Sequence, residues 1–84
     1  MSTISTDTLS GFASRDYVLP AGHRLIVRSG QGDVALHRMG ENAITRNYDV
    51  TQGEEFAVMS DRETKWRVGP AVGIVTVKIE NAAA

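Results

Sequence analysis

The stretch from Lys65 to Glu80 constrains the fold more than any other part of this sequence. From Ile74 onward, apolar side chains alternate with polar ones. A period of two residues is typical of a β-strand with one buried face. The residues before the turn at Gly69-Pro70 predict another strand, so the stretch indicates a closing strand pair. The face that we expect to be buried consists of Trp66, Val68, Val75, Val77 and Ile79.

The same two-residue period recurs upstream, in segments separated by short turns rich in Gly, Asn, Asp and Pro. The clearest local prediction is a hairpin in which a Gly-Gln-Gly-Asp turn joins the strands in HRLIVRS and DVALHRM. Turn signals roughly every 8 to 12 residues favour a sandwich or barrel. We therefore predict an all-β fold, a small antiparallel β-sandwich or barrel of six to seven strands, without a regular helix.

Residues 1 to 14 differ in composition from the rest of the chain. They are rich in Ser and Thr, and beyond the initiator their sizeable apolar side chains are Ile4, Leu9 and Phe12. A segment that buries little apolar surface does not offset the entropy lost on ordering. We therefore predict an extended N-terminal arm, flexible or ordered by a partner, before a domain over residues 15 to 80 and a frayed tail over 81 to 84. The alternatives are a tail without a role, or an arm that Phe12 pins to the sheet.

The overall composition limits the protein classes to consider. A chain of 84 residues has a thin core, so contacts with partners contribute to stability. The absence of cysteine excludes disulfides and thiolate metal sites, and it favours intracellular assembly or oligomerisation. A net charge of -1 provides no field that would attract nucleic acid or an anionic membrane. We expect no secretion signal and no membrane span, because no apolar run approaches about 20 residues.

The residues that could support catalysis or metal binding do not form a recognisable site. His23 and His37 are too few for zinc without cysteine, and in the predicted hairpin they would lie on opposite faces. Glu54 and Glu55 are adjacent on a strand, so their side chains point apart and do not form an acid–base pair. The Gly30-x-Gly32 sequence lacks the third glycine and helix of a phosphate-binding loop. We therefore predict that the protein is not an enzyme and has no cofactor or metal.

Arginine is over-represented among the basic residues, with seven Arg against two Lys. Three interpretations are open: ion pairs with carboxylates on neighbouring strands, an interface with another protein, or nucleic acid, which the net charge disfavours. Trp66 is either a packing anchor of the core or a ring on which a ligand stacks. The arginines that fall within predicted strands are Arg24, Arg28, Arg38, Arg46 and Arg67.

The order of these segments resembles that of small β-sandwich virion proteins of tailed bacteriophages. The similarity rests on a polar arm, G-x-G-D-V-x-L, I-x-x-x-Y-x-V-T-x-G-E-x-F, W-R-V and a closing V-T-V-x-I strand, roughly from Val18 to Ile79. That group includes capsid decoration (cement) proteins, head fibres and tail accessory proteins. The resemblance implies a non-enzymatic structural protein of the virion, assembled in the host cytoplasm and most often a capsid decoration protein that stabilises the head.

The resemblance also implies partners and contact residues. The partner would be the major capsid protein or another virion protein, and the chain itself would be a homo-oligomer, expected to be a trimer. The arm from Ser2 to Ser14 would be the docking segment. An alternative function is a small receptor- or carbohydrate-binding module of a fibre or tail, which an exposed cluster around Trp66, Tyr17 or Tyr48 would favour. The candidate partner-binding residues are Ile4, Leu9, Phe12, Arg24, Ile26 and Arg28.

Overall fold

The computed structural model describes residues 3 to 40 and 44 to 81, and the side chains of these residues except 3, 4 and 44 to 47. The described chain consists of β-strands and short connections and contains no helix. Each strand contains β-branched or aromatic residues, and most of the turns contain Gly, Asn or Asp. The strands are β1 (Thr3–Leu9), β2 (Arg15–Leu19), β3 (His23–Ser29), β4 (Val34–Met39), β5 (Ile44–Val50), β6 (Glu55–Met59), β7 (Thr64–Val68) and β8 (Val75–Asn81).

The eight strands form two four-stranded antiparallel sheets. The first sheet has the order β1-β8-β3-β6 and the second has the order β2-β7-β4-β5. The chain crosses from one sheet to the other at every connection except that between β4 and β5. This is the strand order of an eight-stranded jelly roll, a double-sheet form of the β-sandwich. The predicted all-β antiparallel sandwich is therefore confirmed, with eight strands in place of the six to seven expected.

Both hairpins predicted from the sequence are wrong. The strand β3 pairs with β6 and β8, whereas β4 pairs with β5 and β7 in the other sheet. The closing strands β7 and β8 are separated in the same way, and the Gly69–Pro70 peptide bond between them is cis. A two-residue period shows which face of a strand is buried but not which strand lies beside it. Two strands facing each other across a core have the same sequence pattern as two strands in a hairpin.

The N-terminal segment contributes the additional strand. Residues of β1 pair antiparallel with β8 from Thr3 opposite Glu80 to Leu9 opposite Val75. Leu9 is only 3% exposed and belongs to the core, so its predicted role as a docking residue is wrong. Composition alone missed this strand because β1 has no full apolar face. It is held by main-chain pairing with β8, which does not depend on side-chain type, and by one buried leucine. The side chain of Ile4 and the tail residues 82 to 84 lie outside the described part of the chain, so the docking role of Ile4 stays a prediction.

The core lies between the sheets and confirms the predicted inward faces. The inward side chains of β3, β4, β7 and β8 are almost fully covered, and Phe56 and Val58 of β6 pack against them partly buried. Trp66 is 2% exposed, and its Nε1 donates a hydrogen bond of 2.9 Å to Thr64 Oγ1. Its ring centroid lies 5.9 Å from that of Tyr48 and 6.4 Å from that of Phe56. Trp66 is therefore a packing anchor of the core, which is one of the two roles expected for it.

Replacing Leu9 with Ala tests the inclusion of β1 in the fold. Removal of a buried leucine side chain leaves a cavity, so we expect the free energy of unfolding to fall by about 2 to 4 kcal/mol, measured by urea denaturation. The matched control is Thr8→Ala, at an exposed side chain on the same strand, with an expected loss below about 1 kcal/mol. Small and equal losses for the two variants would contradict a structural role for β1.

Candidate functional site

Three of the predicted contact residues lie together on the outer face of the first sheet. Arg24, Ile26 and Arg28 alternate along β3 with the buried Leu25 and Val27, so their side chains point away from the core. Arg24 lies opposite Glu80 of β8 and forms an ion pair with it at 3.8 Å. Ile26 is half-buried and Arg28 is exposed. Arg28 and Ile26 are therefore the more available contacts, while Arg24 is partly committed within its own sheet.

Neighbouring strands complete a shallow depression around these residues. Ile26 lies opposite Lys78 of β8, and Arg28 lies between Thr76 of β8 and Glu55 of β6. Within the described chain, neither Arg28 nor Lys78 forms an ion pair. The depression therefore carries two cations against one carboxylate. We call it the basic groove; it has a volume of 190 Å³ and is lined by Ile26, Arg28, Glu55, Thr76 and Lys78.

Four connections meet at one end of the sandwich, which we call the loop end. They are residues 10–14, 30–33, 51–54 and 69–74, and hydrogen bonds link them to one another. Phe12 N donates to Ala71 O, and Ala71 N donates to Ala13 O, each at 2.9 Å. These two bonds hold the first connection against the last. Because the bonds are made by the main chain, they fix the backbone on which the exposed side chains stand.

The other two connections are joined to this pair. Gly30 N donates to Ile74 O at 3.0 Å, which joins the second connection to the last. Gln52, in the third connection, makes two hydrogen bonds to the second. Its side-chain Oε1 accepts from Gly32 N at 3.1 Å, and its N–H donates to Asp33 Oδ1 at 3.0 Å. A Cβ atom at Gly73 would clash with Gln31 O, so only glycine allows this close approach. The loop end is therefore one hydrogen-bonded unit.

The loop end presents apolar side chains to solvent. Phe12 is 70% exposed, Val72 is 57% exposed and Ile74 is 49% exposed. We call these three residues the apolar tip. Isolated exposed apolar residues are common, but a group carried on one hydrogen-bonded unit indicates a contact surface. Sequence reasoning named Phe12 as a contact and Ile74 as outward-facing, but it missed Val72, which follows Ala71, the residue that hydrogen-bonds to Phe12 and Ala13.

Phe12 has an unusual backbone conformation. Its φ angle is +64°, and among the described residues it is the one non-glycine with a positive φ. The left-handed region is unfavourable for a bulky L-residue, by roughly 1 to 2 kcal/mol. The hydrogen bonds of Phe12 and Ala13 to Ala71 hold the chain in this conformation. In this conformation the aromatic ring of Phe12 is largely exposed to solvent.

The aromatic side chains considered for a sugar-stacking platform are covered. Tyr17 is 8% exposed and Trp66 is 2% exposed. Tyr48 is half-buried, with its ring centroid 4.9 Å from that of Phe56. Sugar rings stack on accessible aromatic faces, and these three residues do not form an exposed cluster. The condition that would favour a carbohydrate-binding module built on them is therefore not met.

Several arginines form ion pairs with carboxylates on neighbouring strands. Arg67 of β7 binds Asp16 of β2 through two hydrogen bonds, Nε to Oδ1 at 2.8 Å and Nη2 to Oδ2 at 3.3 Å. The hydrogen bond from Arg67 lowers the pKa of Asp16 below its usual value. Together with the pair of Arg24 and Glu80, this confirms the ion-pair interpretation for two of the predicted strand arginines. Both pairs cross-link adjacent strands on outer faces.

A polar cluster closes the edge between β1 and β2. Arg15 Nη1 lies 3.2 Å from Asp7 Oδ2, so an ion pair joins the first sheet to the second. The Tyr17 hydroxyl is buried beside this pair without a hydrogen bond of regular geometry. Burial is the main cause that raises the pKa of Tyr17, and the nearby Asp7 carboxylate adds to it. The cluster joins the two sheets at this edge, and Tyr17 also lines a surface depression with Val18 and Met39.

The histidines lie in different sheets, His23 on β3 and His37 on β4. Within residues 3–40 and 44–81, no group of three or more His, Cys, Asp or Glu side chains is placed to hold a metal ion. The same part of the chain contains no helix long and apolar enough to cross a membrane. Comparison with known proteins found no family, no curated protein and no solved structure that matches this chain.

Replacing Tyr17 with Phe tests the buried hydroxyl. The pKa of Tyr17 is raised in the folded chain, so above pH 10.0 the unfolded chain loses its proton first. The free energy of unfolding should then fall by up to about 1.4 kcal/mol per pH unit, a contribution that is fully present at lower pH. Chemical denaturation across this range should show the wild type losing stability relative to Tyr17→Phe. Parallel stability curves from neutral to alkaline pH would contradict the assignment.

Proposed function

We propose that the protein is a non-enzymatic structural protein of a tailed-bacteriophage virion, of the capsid decoration type, which binds the assembled head and stabilises it. The order of sequence segments resembles such proteins. Jelly rolls occur in viral capsid domains as well as in lectins and cupins, so the fold is compatible with this function without specifying it. The observation that carries the proposal is the apolar tip, and within it the exposed and strained Phe12.

Phe12 has the properties of an anchor residue. It occupies an unfavourable backbone region, yet with 70% of its surface exposed it gains little from burial within its own chain. Aromatic side chains that enter a partner's pocket carry much of the energy of many protein interfaces. A ring whose backbone is already fixed loses less conformational freedom on binding. The cost of holding Phe12 exposed is therefore recovered when a partner covers it.

The apolar tip leads onto the basic groove. Ile74 immediately precedes β8, whose next two outward residues, Thr76 and Lys78, line the groove. A partner placed over both would bury an apolar centre next to Arg28 and Lys78. Guanidinium groups suit paired recognition of carboxylates at protein interfaces. The complementary surface is therefore a pocket in a head protein with acidic residues on one side.

This surface replaces the N-terminal arm as the proposed docking element. The described part of the arm pairs with β8 and places Leu9 in the core, so it is occupied in the fold. Phe12 lies just after that strand, in the first connection of the loop end. A protein that binds the assembled head, and not its dissociated subunits, stabilises the assembly by mass action. Many weakly bound copies on one particle therefore add up to a substantial effect.

The backbone strain at Phe12 is tested by comparing Phe12→Gly with Phe12→Ala. Both variants remove the exposed ring, but only glycine adopts a positive φ without a Cβ penalty. We expect the glycine variant to be more stable than the alanine variant by about 1 kcal/mol, measured by urea denaturation. Equal stability would contradict the assigned conformation of the loop end.

Binding to particles is tested with heads of the phage that encodes the chain. Purified virions should contain the protein, and the added protein should cosediment with heads from which it has been removed. Phe12→Ser should bind at least about tenfold more weakly, because it removes the apolar anchor. The control is Val18→Ser, which replaces another exposed apolar residue, on the outer face of the second sheet, and should bind as the wild type does. Absence from virions would contradict the function, and equal binding of the two variants would contradict the docking surface.

A further inference from the structure

The strand β6 forms an edge of the first sheet, and among the described strands it pairs only with β3. Glu54 O accepts a hydrogen bond from Ser29 N at 3.1 Å, and Ser60 O accepts one from Gly22 N at 2.9 Å. Since main-chain groups alternate along a strand, the even-numbered residues between them also face β3. The N–H and C=O groups of Glu55, Ala57 and Met59 therefore point outward, where no described strand pairs with them.

Beyond its first residue, this edge lacks the features that usually prevent strands of different molecules from pairing. Charged residues, prolines and bulges protect exposed sheet edges. The other three edge strands carry charges within their length: Asp7 in β1, Arg15 and Asp16 in β2, and Asp49 in β5. The charge in β6 is Glu55, its first residue, and from Phe56 to Met59 the strand has neither a charged residue nor a proline. Among the described edges, β6 is therefore the one most suited to accept another strand.

The apolar surface at this edge is also incompletely covered. Met59 is 60% exposed, and Phe56 and Val58 are only partly buried although they pack against the core. A strand added beside β6 would cover all three side chains and would pair the outward main-chain groups. Burial of apolar surface and satisfaction of main-chain hydrogen bonds both favour that addition.

We propose that β6 pairs antiparallel with β6 of a second copy of this chain, around a two-fold axis at Ala57. In this register Ala57 lies opposite Ala57 of the second copy, and Glu55 lies opposite its Met59. The outward main-chain groups of all three residues then pair with each other. The small Ala57 side chains meet at the axis on the outer face, and Phe56 meets Val58 of the second copy on the inner face. The pairing joins the two first sheets into one continuous sheet.

The position of the acidic residues selects this orientation. Glu55 is the first residue of β6 and Glu54 immediately precedes it, so antiparallel pairing places the two acidic ends at opposite ends of the interface. The two Glu55 residues are then roughly 13 Å apart along the strands, beyond the screening length at physiological salt. Parallel pairing would instead place like charges side by side, which is destabilising. The charge pattern therefore supports a second copy in this orientation.

The pairing of β6 with β6 does not depend on the proposed function in a virion. Its symmetry is a two-fold rotation. A two-fold axis produces a dimer, in place of the trimer that the resemblance implies. A contact through five-residue strands is small for a protein interface, so the dimer is weak in solution. Where many copies are held close together, the same contact is effectively intramolecular and therefore more populated.

Sedimentation velocity of the full chain from micromolar to millimolar concentration tests this interface. The wild type should shift with concentration from the 9.1 kDa protomer to twice that mass. Ala57→Lys places two ammonium groups at the axis and should weaken association by at least about tenfold. The matched control, Val18→Lys, adds the same charge at an exposed position on the second sheet and should associate as the wild type does.

A mixing experiment distinguishes the two-fold register from other contacts. Ala57→Lys and Ala57→Glu should each remain monomeric, but an equal mixture should form a heterodimer, because opposite charges then meet at the axis. Amide exchange of the wild type gives a result that needs no variant: the amides of Glu55, Ala57 and Met59 should become protected as concentration rises. A wild type that stays monomeric, a trimer, or association unaffected by Ala57→Lys would overturn the proposal.

Discussion

The fold depends on the central position of β8 in the first sheet. This strand pairs with β1 on one side and β3 on the other, and its inward residues Val75, Val77 and Ile79 are almost completely buried. Its pairing with β1 orders the N-terminal segment, and its pairing with β3 places Ile26 and Arg28 beside Thr76 and Lys78. The connection that leads into β8 carries Val72 and Ile74 and holds Phe12 through Ala71. The core, the basic groove and the apolar tip are thus all positioned by one strand and its register.

Sequence periodicity predicted the elements of this fold well, because alternation reports burial directly. It located the seven strands from β2 to β8 and the inward faces of β3, β4, β7 and β8, and the absence of helical spacing indicated an all-β domain. It did not predict which strands are neighbours, since a strand facing another across the core has the same alternation as a strand beside it. It also missed β1. Pairing with β8 holds this segment in a strand conformation, which its Ser- and Thr-rich composition does not suggest.

The candidate site was less accessible to sequence reasoning than the fold. Phe12, Ile26 and Arg28 were recognised as accessible residues of types that bind partners, and they do lie at the surface. Leu9 was misjudged, because the sequence around a single apolar residue in a polar segment does not show whether that residue is buried or exposed. Val72 gave no separate signal, since its importance depends on the hydrogen bonds that bring residues 69–74 against residues 10–14. A contact surface formed by several loops is visible only after the chain has folded.

The two proposed interfaces adjoin at Glu55, which lines the basic groove and is the first residue of β6. The apolar tip and the basic groove are the proposed docking surface, while the outward main-chain groups of β6 are the proposed contact with a second copy. An electron cryomicroscopy map of the particle with the protein bound tests this account most directly. The account predicts that the loop end faces the head surface with Phe12 in the contact, and that neighbouring copies related by a two-fold axis meet at β6. A map in which the loop end points into solvent, or in which the particle lacks the protein, would contradict it.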